Sequence, residues 1–322
     1  MGHVGVYDDS PAQMALSGYG VRCWNEAAPD LPAEVDFVRR GALWIAAESE
    51  EMADVEAKAR RYHDFGVEAR TVDAGLLHDM EPQLRASLAG ALHVPGDIVL
   101  DAAEATRYLA RRAQGLGAQF RIPAHVRLLS ADGPVLDDGE TVRAARTVLA
   151  TGWRAPELLP GLAIRPRKGH IALLAPRPGF VRHQLSEISY VRGAQPGADD
   201  VISFSLQPRS SGRYLLGATR QYVGPSTEVD PQVIQRLLAR ARTFLPEFDQ
   251  LMIERSWTGL RPSGSDAIPW IGPVPGRPEL FCAVAHEGIG ITTSIATGRI
   301  IADLDAGRTP AIAVDAFRPP AV

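Results

Sequence analysis

Cysteine is scarce in this sequence: Cys23 and Cys282 are its only two. That excludes a disulfide framework and a four-cysteine zinc site, and it fits a reducing, cytoplasmic setting. Basic residues hold no excess. The 34 Lys and Arg stand against 38 Asp and Glu, a formal charge of −4, so no net basic field gathers nucleic acid or anionic lipid. Long apolar runs are missing too. The longest, around residues 280–285 and 171–175, have strand length and fall short of the ~18 residues of a membrane span. The first ten residues hold no basic stretch followed by the ~7–15 apolar residues of a secretory signal. No G-x-S-x-G elbow, H-E-x-x-H helix or G-x-x-x-x-G-K-[ST] loop occurs, which argues against those hydrolase, metalloprotease and P-loop chemistries. The eight histidines are scattered without metal-ligand spacing.

What is present describes a globular chain. At 322 residues, 45% hydrophobic and 22% charged, it suffices for two domains or one large α/β unit, with a core that needs no staples. Thirty glycines and 25 prolines predict many tight turns. Ser10 and Pro11 form an N-cap and N1 pair before Ala12, Ala15, Leu16, Tyr19 and Cys23 at helical spacing, so a helix is expected over 11–27. Further helices are expected over 49–66, 73–80, 103–116, 231–244 and 290–305. Strands are expected at 37–47 (with a turn at Arg40–Gly41), 89–94, 98–100, 118–120, 126–130, 135–136, 147–150, 169–175, 201–206, 214–218 and 280–285. Helices and strands alternate in some places and cluster in others, which predicts an α/β domain interleaved with a mixed-sheet one.

Four segments rise above this background. In 280–293, LFCAVAHEGIGITT, an apolar strand runs into Gly288-Ile289-Gly290 and then a helix opening with small residues. Such a unit brings backbone N–H groups and the positive helix end close to an electron-rich group; equally, it packs a helix tightly on a strand. In 148–153, VLATGW, a buried strand ends at Thr151, Gly152 and Trp153, placing backbone at the carboxyl edge of a sheet. Segment 257–272, WTGLRPSGSDAIPWIG, reads as a loop carrying Trp257, Arg261, Asp266 and Trp270. Its arginine offers a planar fork for a carboxylate. In 166–170, PRKGH, Lys168 is either near an anionic ring or a solvated loop charge. His286 adjoins Glu287, but sequence neighbours need not face one site.

Taken in order, these segments resemble the flavoprotein family of D-amino-acid oxidase, glycine oxidase and sarcosine oxidase. That family carries a VLATG-type strand end, a Pro-x-x-Gly-[Gln/His] strand, a W-x-G-x-R-P…D…P-x-I-G loop and a terminal G-H-x-G-x-G-[IM] helix start. Here they stand at 148–152, 166–170, 257–272 and 285–291. The form His286-Glu287-Gly288-Ile289-Gly290-Ile291-Thr292 resembles the branch of D-hydroxyproline dehydrogenases and hydrogen cyanide synthase subunits. Two departures stand out. Ala285 replaces the usual glycine, and the family's opening strand–GxGxxG–helix–strand is absent. Gly18-Tyr19-Gly20 lies within a helix, and Gly2-His3-Val4-Gly5 resembles the segment that follows the acidic strand. Roughly 30–45 residues of that nucleotide unit are therefore expected from a longer start or a partner subunit.

The resemblance implies an FAD-dependent oxidoreductase acting on a small amino acid or amine. It implies a truncated doubly wound FAD-binding domain at 1–28, 98–160 and 258–322, interleaved with a mixed-sheet substrate domain at 29–97 and 161–257. Arg261 would clamp a substrate carboxylate, and Arg261 and His286 are the candidate catalytic residues. FAD contacts are implied for Val126, Thr151, Gly152, Trp153, Lys168, Gly169, Arg261, Gly288, Ile289, Gly290, Ile291 and Thr292. The 288–292 turn would face the N1–C2=O side of the ring. The substrate amine would be neutral when hydride leaves for flavin N5, and no protein nucleophile is needed. Two other readings follow from the missing unit: a flavin-free binding or scaffold subunit, or an old pocket turned to a non-redox reaction.

Overall fold

Helix starts are set locally. Ser10 Oγ accepts from the Gln13 N–H at 3.1 Å and Pro11 takes the first helical position, so a helix runs over Pro11–Ala27. Asp73, Asp101 and Asp230 likewise cap helices Ala74–Met80, Ala102–Gly115 and Pro231–Arg242. The computed structural model describes residues 1–189 and 200–321.

Eight strands form one mixed sheet in the order Ile253–Ser263, Arg165–Leu174, Tyr214–Gln221, Asp200–Pro208, Gln184–Glu187, Ala42–Ala46, Gly90–Val94 and Arg70–Asp73. Gln184–Glu187 runs parallel to Ala42–Ala46; the other neighbours are antiparallel. Helix Pro231–Arg242 buries Val233, Ile234, Leu237, Leu238 and Ala241, an apolar stripe at helical spacing. Ile234, Leu237, Leu238 and Ala241 of that stripe join Phe204, Leu206 and Leu216 of the sheet in one core, where Phe204 stacks on Phe244 at 4.6 Å.

A second sheet holds Trp270–Val274, Arg277–Val284 and Thr147–Leu149, the last two in parallel. Helices Pro11–Ala27 and Gly290–Asp305 share a core with it through Leu16, Cys23, Ile271, Phe281 and Ile300. The helices approach closely at Gly20, where a Cβ would stand 2.2 Å from the Thr292 carbonyl oxygen; only glycine permits that contact. A third sheet joins His3–Val4 to Ile98–Val99 and Val38–Arg39.

The expected mixed α/β class holds, with two local corrections. Segment 257–272 is not a loop. Most of it belongs to strands Ile253–Ser263 and Trp270–Val274, separated by a short bend. Ile253–Ser263 pairs along all of Arg165–Leu174, with Pro262 opposite Pro166. It is the outermost strand of its sheet, where a proline's missing N–H is tolerated. Residues 118–120 form no strand; they follow the turn at 116–117 and are exposed. No helix among the described residues is long and apolar enough to cross a membrane.

Candidate active site

Three adjacent strands of the large sheet bring three arginines together. Arg167 stands directly opposite Arg261, and the neighbouring Lys168–Gln221 pair brings Arg220 to the same end of the sheet. Arg167 and Arg220 are buried. Arg261 donates from Nη1 to the Thr219 carbonyl at 2.9 Å. Its guanidinium lies over Gly169, where a Cβ would stand 2.4 Å from Nη1; the glycine is what makes room for it. Glu287 faces the row, with Oε1 at 3.5 Å from Arg167 Nη1 and 3.6 Å from Arg220 Nε. Burial lowers the Arg167 pKa from its ordinary value against the pull of Glu287.

Opposite the sheet stands the turn between strand Arg277–Val284 and helix Gly290–Asp305. Ala285 and Glu287 hold φ of 64° and 43°, a left-handed backbone that costs a non-glycine residue about 1 kcal/mol or more. Ala285 thus keeps the conformation a glycine would take there. The turn is anchored from several sides: Glu287 N donates to the Pro262 carbonyl at 3.2 Å, Trp24 Nε1 to the Ile291 carbonyl at 2.9 Å, and Thr292 Oγ1 to the His3 carbonyl at 3.1 Å. Helix Gly290–Asp305 starts with no side-chain cap, in contrast to the helices begun by Ser10, Asp73, Asp101 and Asp230. Its first N–H groups and partial positive charge therefore stay open to an external acceptor.

Between sheet and turn lies a cavity of about 360 Å³ lined by Trp44, Lys58, Gln184, Ser186, Ser205, Arg220, Arg261 and the run His286–Ile291, among others. Ser186 and Ser205 share a hydrogen bond at 3.0 Å, and Gln184 Nε2 donates to Ser205 at 3.0 Å. His286 Nε2 sits 3.0 Å from Thr297 Oγ1. Loss of solvent lowers its pKa to about 4, so the imidazole is neutral at pH 7. On the far wall the buried Lys58 ammonium bonds Asp8 and lies over the Trp44 and Tyr62 rings, 4.5 and 4.6 Å from their centroids. Arg61 Nε completes the pairing at 2.7 Å from Asp8. Burial raises the Asp8 pKa, but Lys58 and Arg61 outweigh it and hold the carboxyl below its ordinary value.

Of the residues singled out by sequence, Arg261, His286, Gly288, Ile289, Gly290 and Ile291 line this cavity. Thr292 and Gly169 stand behind it, tying down the turn and admitting Arg261 respectively. Lys168 is buried within strand Arg165–Leu174 and is no solvated loop charge; it does not line the cavity. Val126, Thr151, Gly152 and Trp153 lie outside it as well, at the start of strand Val126–Ser130 and just beyond strand Thr147–Leu149. Asp8, Trp44, Lys58 and Arg220 escaped the sequence reading. One signal was available for Lys58: it sits in the buried stripe Val55, Lys58, Ala59, Tyr62 of helix Met52–Asp64, where an unpaired charge would not be tolerated.

The family described as FAD dependent oxidoreductase matches residues 1–304. The glycine oxidase of Geobacillus kaustophilus (strain HTA426) is 30% identical over 279 residues, 84% of this chain and 71% of that protein. The D-amino acid dehydrogenase of Paramagnetospirillum magneticum (strain ATCC 700264 / AMB-1) is 32% identical over 248 residues, 73% of this chain and 56% of that one. The crystal structure of glycine oxidase from Geobacillus kaustophilus superposes with a TM-score of 0.88 at 26% identity, covering 98% of this chain and 86% of that chain.

Proposed function

Because the chain belongs to the DAO family of FAD-dependent oxidoreductases, we propose that it oxidises the C–N bond of a small amino acid or secondary amine, hydride leaving the α-carbon for flavin N5. The observation that carries this reading is the shared cavity: Arg261 and the uncapped start of helix Gly290–Asp305 line one space. When bound, FAD supplies the two-electron acceptor.

The residues present fit the ring end of that cofactor. The turn 288–291 offers open N–H groups and the positive end of a helix, which suit an electron-rich ring edge. Arg261 is the carboxylate clamp, held in place by its bond to Thr219. The neutral His286 places no positive charge beside the substrate amine, which must be uncharged to release hydride. Gly169 acts by accommodating Arg261.

The dinucleotide arm is a different matter. The 322 residues contain no G-x-G-x-x-G turn, so we assign the pyrophosphate contact to a unit supplied by a further segment or a partner subunit, docking beside strand Thr147–Leu149. That strand ends its sheet and exposes Val148, and strands of parallel pairs are ordinarily covered. Val126 and Thr151–Trp153 are assigned to the same arm. In the proposed division, 1–28, 98–160 and 258–322 serve the flavin, and 29–97 and 161–257 the substrate. Strand Ile253–Ser263 crosses the last boundary and carries Arg261 with it. A cytoplasmic location completes the reading, in keeping with the free thiols of Cys23 and Cys282.

The test is spectroscopic. The purified chain, given FAD and, if needed, a separately expressed GxGxxG unit, should turn yellow and bleach anaerobically with a small amino acid or amine. A protein that stays colourless and inert under both conditions sinks the reading.

A further inference from the structure

Arg261 is seated where the large sheet is irregular. Along Ile253–Ser263, strand Arg165–Leu174 pairs residue by residue from Arg165 to Leu173. Along Tyr214–Gln221 its register breaks between Lys168 and Ala172, and buried backbone groups in such a break must find other partners. The His170 N–H donates to Thr219 Oγ1 at 2.7 Å, so a side chain serves where a ladder carbonyl ordinarily would. The carbonyl of the same Thr219 accepts from Arg261 Nη1 at 2.9 Å, and the guanidinium fills the room left over Gly169.

The His170 imidazole completes the arrangement. Its Nε2 accepts the Asp230 N–H at 3.0 Å, which puts the ring proton on Nδ1, 3.3 Å from Thr219 Oγ1. Desolvation by burial lowers the His170 pKa, in keeping with a neutral ring. Asp230 in turn caps helix Pro231–Arg242 with its own side chain. His170 and Thr219 are fully buried, and neither lines the cavity. A hydrogen-bonded path therefore runs from the start of that helix through His170 and Thr219 to Arg261.

We infer that Thr219 and His170 are positioning residues, which fix the direction of the Arg261 guanidinium and so set how tightly the site holds a carboxylate. This rests on the proposed role of Arg261 as the carboxylate clamp. Neither residue touches the substrate. Thr219 acts through its carbonyl, and His170 acts by holding the Thr219 side chain on the break in the ladder.

Propionate and FAD are the probes, titrated calorimetrically into the full chain, with the GxGxxG unit added if FAD requires it. Thr219→Val removes the hydroxyl at nearly constant shape and should raise the Kd for propionate about 10-fold, while Thr219→Ser stays within about 2-fold of wild type. The Kd for FAD should be the same in all three proteins. Unchanged propionate binding in Thr219→Val overturns the inference. So does an equal loss of FAD and propionate binding, which a merely structural role would give, or a failure of Thr219→Ser to rescue. If Thr219→Val does not fold, His170→Ala decides: it keeps the backbone bond to Oγ1 and should weaken propionate about 3-fold, and no weakening overturns the inference. Arg261→Met separates the two claims. Propionate binding unaltered in that variant refutes the clamp itself, whereas a loss there with Thr219→Val and His170→Ala both at wild-type Kd refutes the positioning roles and leaves the clamp standing.

Discussion

The two principal sheets meet their surroundings in opposite ways. Around the eight-stranded sheet, charge is buried and matched: Lys58 and Arg61 hold Asp8, Arg240 holds Glu187, and Glu287 faces two arginines. Its apolar face is closed by helix Pro231–Arg242. The three-stranded sheet is packed on one side by two helices but ends on Thr147–Leu149, with Val148 46% exposed. Ile122 and Leu116, each 83% exposed, and Phe120 and Leu128 also lie bare in the segments before that strand. The difference separates two tasks that a dinucleotide flavoprotein must combine. On the proposed reading, substrate and ring are met by the closed sheet and the 286–291 turn, and the nucleotide arm is met at the open edge beside Thr147–Leu149.

The strongest way to break this comparison is at the substrate side. Arg261→Met should raise KM for a carboxylate substrate by about 10- to 1000-fold, the loss expected for one charge-assisted pair. Steady-state kinetics on the FAD-loaded protein measure it. An unchanged KM would mean that the substrate is a carboxylate-free amine, or that its carboxylate is held elsewhere, and the cavity would lose its claim to be the more complete half.

Stability offers the next test. Lys58→Met leaves Asp8 buried with Arg61 as its remaining partner, and removing one member of a buried pair costs about 3 kcal/mol. Because Arg61 reaches Asp8 from a half-exposed position, the loss should fall somewhat below that figure. Adding Asp8→Leu should recover most of it. Chemical denaturation of the single and double variants gives both numbers. A single variant as stable as wild type would show that the charge on this wall is not needed to hold the fold.

Much of this architecture was legible because its signals are local. Ser10 with Pro11 marks the start of Pro11–Ala27, and the small residues after Gly288 mark that of Gly290–Asp305. Segment 257–272 hides its strands for the opposite reason: its glycines and prolines look like loop punctuation, and only pairing with the distant Arg165–Leu174 and with Arg277–Val284 makes 257–263 and 270–272 strand. The site divides along the same line. Arg261 and the 286–291 turn sit in contiguous motifs, so spacing could find them. Arg220, Trp44 and Lys58 reach the cavity from separate elements, and no sequence interval between them carries that information. Ala285 shows an intermediate case: its departure from glycine was visible, but its left-handed backbone required the structure.

The smallest expected effect tests the open edge. Val148 is nearly half exposed, so Val148→Lys should change the stability of this chain by no more than about 0.5 kcal/mol. A lysine on an edge strand nevertheless obstructs the addition of another strand. If the nucleotide unit docks beside Thr147–Leu149, the same substitution should weaken FAD uptake in the presence of that unit while leaving denaturation curves almost superimposable. A loss of 1 kcal/mol or more would be outside the range of an exposed surface change and would show that Val148 already packs against its own chain. Unaltered FAD uptake would move the docking site away from this edge, and the contrast between a closed and an open sheet would then describe folding alone, with no bearing on how the cofactor is held.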